Sequence, residues 1–249
     1  MIKIVFGLFP IFLAATFMSP EGAIAQEKLH VAVAANFTRP FKELAAIYEA
    51  KKGIKVESAF TSSGSLYNQI INGAPYDLFL SADEKRPLLL EKNGLAEKPF
   101  VYALGQVVLW SARKDFCEAE NWKKALRGCE QNIAMANPKT APYGLAAMTA
   151  LERADLWTSL ESKIVIAQSV AQSFHYASTE AASAGFCALS GALSDDGSKG
   201  CFFAMEEAPP IIQAACVLKK TKNPKAANDF AQFLVSDEAK QVKERFGYR

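Results

Sequence analysis

Histidine is nearly absent from this chain, with two residues in 249. Its five cysteines contain no C-x-x-C spacing. Together these shortages leave little from which to build a zinc or other transition-metal centre. They also leave a serine nucleophile short of a base, and neither a G-x-S-x-G elbow nor a P-loop occurs. Lysines are scattered among glutamates and the formal charge is only +2, so the basic stripe of a nucleic-acid surface is missing. There is no internal repeat and no low-complexity linker. Past the first 25 residues, no apolar run approaches the roughly 20 residues that a spanning helix needs.

What is present begins with a leader. Lys3 supplies a positive start, residues 4–17 are apolar apart from Gly7, Pro10 and Thr16, and small residues close the segment at Gly22-Ala23-Ile24-Ala25. This is the pattern of a secretory signal peptide over residues 1–25, cut before Gln26. No cysteine lies near the cut, so a soluble, exported and monomeric product is expected rather than a lipid-anchored one. In an oxidising compartment cysteines pair. Cys117 with Cys129 closes a loop of about 13 residues, worth about 3 kcal/mol in the chain-entropy account. Cys201 with Cys216 is the second expected pair, and Cys187, in an apolar run, reads as a small buried hydrophobe.

The remaining chain alternates strand and helix patterns. Strands are expected at residues 29–35, 54–60 and 77–81, with helices over 37–52, 65–72 and 83–93, each followed by Gly53, Gly73 or Gly94 as a C-terminal stop. A second set follows: helix 122–127, strand 133–136, helix 143–154, strand 164–167, helix 170–180 and strand 185–189. Two long apolar runs, 101–112 and 211–218, are suited to pass between the sets. Helices over 224–235 and 238–246 close the chain. Strands alternating with helices of about ten residues predict α/β architecture with mostly parallel sheets. The expected layout is a first lobe over 26–105, a second over 106–213, and a return to the first over 214–249.

In open α/β sheets, ligands bind beyond the carboxyl ends of the strands, where helices begin. Four such junctions stand out: Ala34-Ala35-Asn36-Phe37-Thr38, Thr61-Ser62-Ser63-Gly64-Ser65, Asn137 to Gly144, and Gln168-Ser169-Val170. Every helix start leaves backbone N–H groups without internal partners and carries partial positive charge. Four of them aimed at one cleft make an anion site, to which Asn36 and Ser63 can add side-chain donors and Tyr143 its N–H or hydroxyl. None of the four junctions contains Asp or Glu. A protonated phosphate needs an acceptor for its proton, so a donor-only site favours an anion fully ionised at neutral pH, such as molybdate, tungstate or sulfate. A carboxylate ligand would call for an arginine fork, and only Arg39, one turn into its helix, is near.

At these junctions the sequence resembles the periplasmic molybdate-binding proteins of ABC transporters, a family of type II periplasmic binding proteins. The resemblance is carried by residues 31–38, 62–70, 72–83, 136–144 and 184–190, and extends over the mature chain. It implies a two-lobed fold with the lobes joined by two crossing strands, no cofactor, no catalysis, and a membrane permease as partner. It also implies an oxyanion held by Asn36, with Ala35 beside it, and Ser63 from one lobe, and by Tyr143 and Val170 from the other. One branch of the family has serine at the position of Asn36 and a tyrosine on the strand matching residues 185–189, where this chain has Ala188. The sequence is therefore similar to the other branch, in which asparagine takes the serine's place and the tyrosine precedes the helix, as Tyr143 does.

Two competing readings remain open at this stage. The same scaffold can be tuned to sulfate or another oxyanion, because cavity size separates these dianions and sequence spacing does not resolve it. An exported serine-dependent enzyme built on Ser63 needs a base, and His30 and His175 fall at a strand start and mid-helix.

Overall fold

The computed structural model describes Ile2 and residues 28–249. Apart from Ile2, the leader and its cut before Gln26 lie outside the described residues. In chain order the strands are β1 (Lys28–Ala34), β2 (Lys55–Thr61), β3 (Leu78–Leu80), β4 (Phe100–Gly105), β5 (Val107–Ser111), β6 (Ile133–Ala136), β7 (Ile164–Ala167), β8 (Ala184–Ala188), β9 (Cys201–Ala204) and β10 (Ile211–Val217). The helices are α1 (Thr38–Lys52), α2 (Ser63–Ile71), α3 (Lys85–Lys92), α4 (Lys114–Cys117), α5 (Trp122–Arg127), α6 (Pro142–Arg153), α7 (Trp157–Leu160), α8 (Val170–Ser178), α9 (Leu189–Ala192), α10 (Pro224–Leu234) and α11 (Asp237–Arg245). Short 3-10 turns include Ala35–Phe37, directly after β1.

The strands form two five-stranded sheets, ordered β2-β1-β3-β10-β4 and β7-β6-β8-β5-β9. In each, the first three strands are parallel, and one strand runs against its neighbours: β10 in the first sheet, β5 in the second. Those two are the strands that the chain enters on arriving from the other sheet. The apolar run at 101–112 is divided at Gln106 into β4 and β5, so the chain passes from sheet to sheet within one residue. It returns through residues 205–210, and β10 then lies wholly in the first sheet.

Alternation along β1 explains how the first sheet is covered on both faces. Leu29, Val31 and Val33 pack with Phe41, Leu44 and Tyr48 of α1 and with Phe230 and Leu234 of α10. Ala32 points the other way, into a smaller cluster with Leu66 and Ile70 of α2 and Leu90 of α3. Phe79 and Leu66 belong to the same cluster. Around the second sheet, Leu109, Trp110, Ile133, Met135 and Phe186 form the centre of a further core. Ala34, Ala82 and Ile211 reach that core from the first sheet, so the apolar packing is continuous where the sheets meet.

Helix ends follow the local sequence. Gly53 closes α1 in the left-handed region at φ 68°, donating its N–H to Glu49. Pro142 and Pro224 each occupy the first turn of a helix, where the missing N–H costs nothing. The sequence pattern did not mark the one-turn helices α4, α7 and α9 or the edge strand β9, because four residues are too few to show a period.

The cysteine pairing differs from the expectation. Cys117 is bonded to Cys201, with Cα atoms 5.7 Å apart, while Cys129, Cys187 and Cys216 are free and buried. The pairing follows from topology: β5 pairs with β9 so that Ser111 lies opposite Cys201, and the chain then turns into α4, which carries Cys117 back over that edge. Cys129, the partner expected for Cys117, instead turns into the core with Phe116 and Leu126. Cys201 and Cys216 cannot meet, because one lies in the second sheet and the other in the first, where Cys216 sits opposite Phe79. Cys187 is a buried thiol in β8, as its apolar surroundings in the sequence implied.

Candidate anion site between the two sheets

The four junctions singled out in the sequence come together. Ala35 and Asn36 lie in the 3-10 turn after β1, Ser63 is the first residue of α2, Tyr143 the second of α6, and Val170 the first of α8. All five line one cavity of about 10 Å³, with Ser62, Ala82 and Ala141 beside them. That is less space than the roughly 300–1,000 Å³ of pockets for drug-sized molecules. Among the described residues, no acidic or basic side chain lines it.

The helix starts can be followed donor by donor. In α2, Ser62 caps the third residue by accepting from Ser65 N–H (3.4 Å), and Gly64 N–H goes to Thr140 O (2.8 Å). That leaves Ser63 N–H without an acceptor inside the helix. In α8, Ser169 takes Gln172 N–H (3.3 Å), leaving the N–H groups of Val170 and Ala171. In α6 the cap position is Ala141, which offers no side-chain acceptor, and Pro142 has no N–H, so Tyr143 and Gly144 provide the donors. Asn137 shapes the approach to α6: its carbonyl accepts from Thr140 and Ala141, and its side chain accepts from Lys139 N–H (3.0 Å). Gly144 is needed there because a Cβ would come 2.0 Å from Ala136 O, at the end of β6.

Side-chain hydroxyls add to this set. Ser63 Oγ accepts from Ala82 N–H at 2.9 Å, which occupies a lone pair and leaves the hydroxyl proton for an anion. Asn36 behaves differently from expectation. Its amide nitrogen lies 2.7 Å from Gln213 Oε1, 3.1 Å from the Tyr248 hydroxyl and 3.4 Å from the Tyr143 hydroxyl, so its two protons are directed into the protein. Those protons are therefore not free for a ligand in the cavity. Gln213, buried in β10, also donates to Tyr143 (3.4 Å) and accepts from Tyr102 (3.0 Å). Burial holds the Tyr102 and Tyr143 phenols well above the ordinary tyrosine range, with the neighbouring Tyr248 adding to both, and burial raises Tyr248 as well. All three are neutral hydrogen-bonding groups at physiological pH.

The nearest charges are already paired. Asp83 follows the cavity-lining Ala82 and forms a salt bridge with Arg86, whose backbone N–H it also accepts at 2.8 Å. Arg86 reaches over the cleft to Lys139 O (3.3 Å). Arg39, from α1, lies 3.8 Å from Asp196 and covers the ring of Phe174 on α8.

Gln213, Tyr102, Tyr248, Ser190 and the Asp83–Arg86 pair were not singled out in the sequence. Gln213 did carry a signal, as the one polar residue in the apolar run at 211–217. Tyr248, next to last in the chain, carried none.

Comparison with known proteins bears on the family and the fold. Residues 29–249 match the family described as bacterial extracellular solute-binding protein. The molybdate-binding protein ModA of Rhodobacter capsulatus is 37% identical over 219 residues, covering 87% of this chain and 86% of that protein. ModA of Azotobacter vinelandii is 38% identical over 226 residues, 89% of each chain. The solved structure of the periplasmic molybdate-binding protein of Azotobacter vinelandii superposes with a TM-score of 0.84 at 35% identity, covering 89% of this chain and 98% of that one. With the fold and that degree of identity over most of the chain in agreement, the chain belongs to the bacterial extracellular solute-binding proteins and, among them, to the molybdate-binding family.

Proposed function

We propose that this protein is the substrate-binding component of a molybdate importer of the ABC class, and that it holds molybdate, and tungstate with it, in the cavity between the two sheets. The observation that carries the proposal is the convergence of four helix starts, two from each sheet's helices, on a cavity that no charged side chain of the described residues lines. Such a site offers N–H and O–H groups and no carboxylate to accept a proton. It suits a small, fully ionised dianion and disfavours protonated phosphate. The ligand contacts are assigned to Ser63 through N–H and hydroxyl, to Asn36 with Ala35 through backbone N–H, and to Tyr143 and Val170 from the second lobe.

The protein acts by capture and release, with no covalent step. An enzyme using Ser63 has no support: neither histidine lines the cavity, His30 is exposed on β1 beside Glu57 (3.4 Å), and His175 is exposed on α8. Export by the leader with a cut before Gln26, function as a monomer in the periplasm, and delivery to a membrane permease complete the proposal.

Calorimetric titration of residues 26–249 with molybdate, tungstate, sulfate and phosphate at about pH 7.5 tests it. One-to-one binding of molybdate and tungstate, with phosphate silent, is expected. Binding of sulfate alone overturns the choice of ligand, and silence from all four overturns the capture role. The Ser63→Asp variant is expected to fold and to lose binding, since it places a carboxylate against the anion.

A further inference from the structure

Beneath the cavity, the carbonyl of Asn36 accepts two hydrogen bonds, from the Tyr248 hydroxyl at 2.7 Å and from Ser190 Oγ at 2.9 Å. Tyr248 and Ser190 are themselves 3.1 Å apart, and Tyr248 oxygen also receives the Asn36 side-chain amide. All three residues are buried. Their origins are what matter. Asn36 and Tyr248 belong to the body built on the first sheet, whereas Ser190 lies on α9, directly after β8 of the second.

The end of the chain is built to present Tyr248 there. Arg249 and Leu104 exchange both backbone hydrogen bonds, at 2.6 and 3.1 Å, which clamps the tail to β4 two residues before the passage at Gln106. Gly247 turns the chain at φ 76°, and a Cβ on it would meet Leu189 of α9 at 2.7 Å. The Tyr248 ring stands edge-on to Phe37, with centroids 5.1 Å apart. The hydroxyl is thus held by its own ring packing and backbone, independently of any ligand.

We infer that Tyr248 is a positioning residue that couples closure of the two lobes to the anion site: when α9 docks, Ser190 completes a three-way hydrogen-bonded junction with Tyr248 and the Asn36 carbonyl, which fixes the peptide plane of the Asn36 turn and the N–H groups it aims into the cavity. Within the first lobe, Tyr248 and Asn36 are already in contact; only the approach of the second lobe adds Ser190. The bound anion is then held by donors that are immobilised by closure itself. The inference rests on the oxyanion reading proposed above.

The test is a double-mutant cycle on residues 26–249 with Tyr248→Phe and Ser190→Ala. Each removes only a hydroxyl, and the Phe variant keeps the ring against Phe37. Affinity for molybdate, its dissociation rate by rapid competition with tungstate, and the melting temperature without ligand are measured for all four proteins. Each single variant is expected to lose about five- to tenfold in affinity, nearly all as faster dissociation. The double variant is expected to lose clearly less than the product of the two losses, because the hydroxyls act in one junction. Losses that multiply, wild-type dissociation in Tyr248→Phe, or a drop in ligand-free melting temperature with affinity intact each overturn the coupling. The wild-type titration separates this from the broader reading. If the wild type binds sulfate in place of molybdate, the ligand assignment falls and the cycle is read with sulfate. If it binds no oxyanion, both fall.

Discussion

Replacing Gly64 with alanine should weaken anion binding without weakening the fold, and the two effects should have opposite signs. Gly64 is the second residue of α2 and touches no ligand in the assignment above. In the closed arrangement, a Cβ on it would lie 2.9 Å from both Cα and O of Thr140, backbone atoms on the other side of the cleft, and 3.0 Å from a movable arm of Arg86. Arg86 can yield, but the Thr140 backbone cannot without moving its lobe. Ordinary carbon contacts begin near 3.5 Å, so the lobes must part by about half an ångström. That strains the Gly64 N–H to Thr140 O hydrogen bond, now 2.8 Å. Overpacking of this kind costs about 1–3 kcal/mol and the hydrogen bond about 1 more, so the dissociation constant should rise between tenfold and a thousandfold. With the lobes apart the clash is gone, and alanine is favoured over glycine in a helix by up to about 1 kcal/mol. The ligand-free melting temperature should therefore hold steady or rise. Calorimetry and thermal denaturation on the same sample decide the matter. Unchanged affinity would show that binding does not require this contact. A fall in ligand-free stability parallel to the loss of affinity would show general damage instead.

Three further outcomes follow from the structure. Arg86→Gln leaves Asp83 unneutralised one residue from the cavity, and should weaken molybdate binding about tenfold by repulsion at an effective dielectric of about 20; adding Asp83→Asn should restore part of the loss, and no restoration would remove the electrostatic explanation. Peptide mapping under non-reducing conditions should join Cys117 to Cys201, 84 residues apart, and leave three thiols titratable after unfolding; reduction should cost up to about 4–5 kcal/mol of stability in the chain-entropy account, lowering the melting temperature while binding at room temperature persists. The pH dependence has a definite sign. Because the Tyr102, Tyr143 and Tyr248 phenols titrate higher when folded than when unfolded, the stability they contribute is complete below the unfolded value of about 10 and is lost as pH rises beyond it; burial also pushes the Cys187 and Cys216 thiols up, so melting should be flat between about pH 7 and 8 and begin to fall as pH passes the unfolded thiol value of about 8.5, and a fall below about pH 8 would remove this account.

Much of the fold was legible because its signals are local. The helix over 37–52 shows its buried face as Phe41, Leu44, Ala45 and Tyr48, and Gly53 marks its end; the structure turns residues 35–37 into a 3-10 lead and starts the regular helix at Thr38. Helix α2 begins two residues before the expected position because Ser62, and not Gly64, is the cap. Residues 101–112 read as one continuous strand passing between the lobes, because an apolar run does not show a break in the backbone. Gln106, the one polar residue in the middle of the run, divides it, and the pairing of β4 with β10 and of β5 with β8 separates the halves. The disulfide was misplaced for a related reason. Spacing along the chain favours the short loop from Cys117 to Cys129, whereas the bond is decided by which strand lies at the edge beside β5.

The cavity itself divides along the same line. Residues that present donors sit at helix starts, and helix starts are written in runs such as Thr61-Ser62-Ser63-Gly64-Ser65, so Asn36, Ser63, Tyr143 and Val170 could be gathered from sequence into one cavity. The residues that decide how those donors are used are spread over the rest of the chain: Gln213 in an apolar strand, Tyr248 at the end, Ser190 after β8. Each has only its partners in space to mark it. Asn36 shows the consequence. Its side chain reads as a donor for the ligand, yet with Gln213 and Tyr248 in place its amide protons are taken up inside the protein. A site made of peptide groups gains rigidity in this way, since side chains that could have bound the ligand instead hold the backbone that does. It also makes the identity of those supporting residues, more than that of the lining ones, the place where two proteins with the same donor set can differ in which oxyanion they hold.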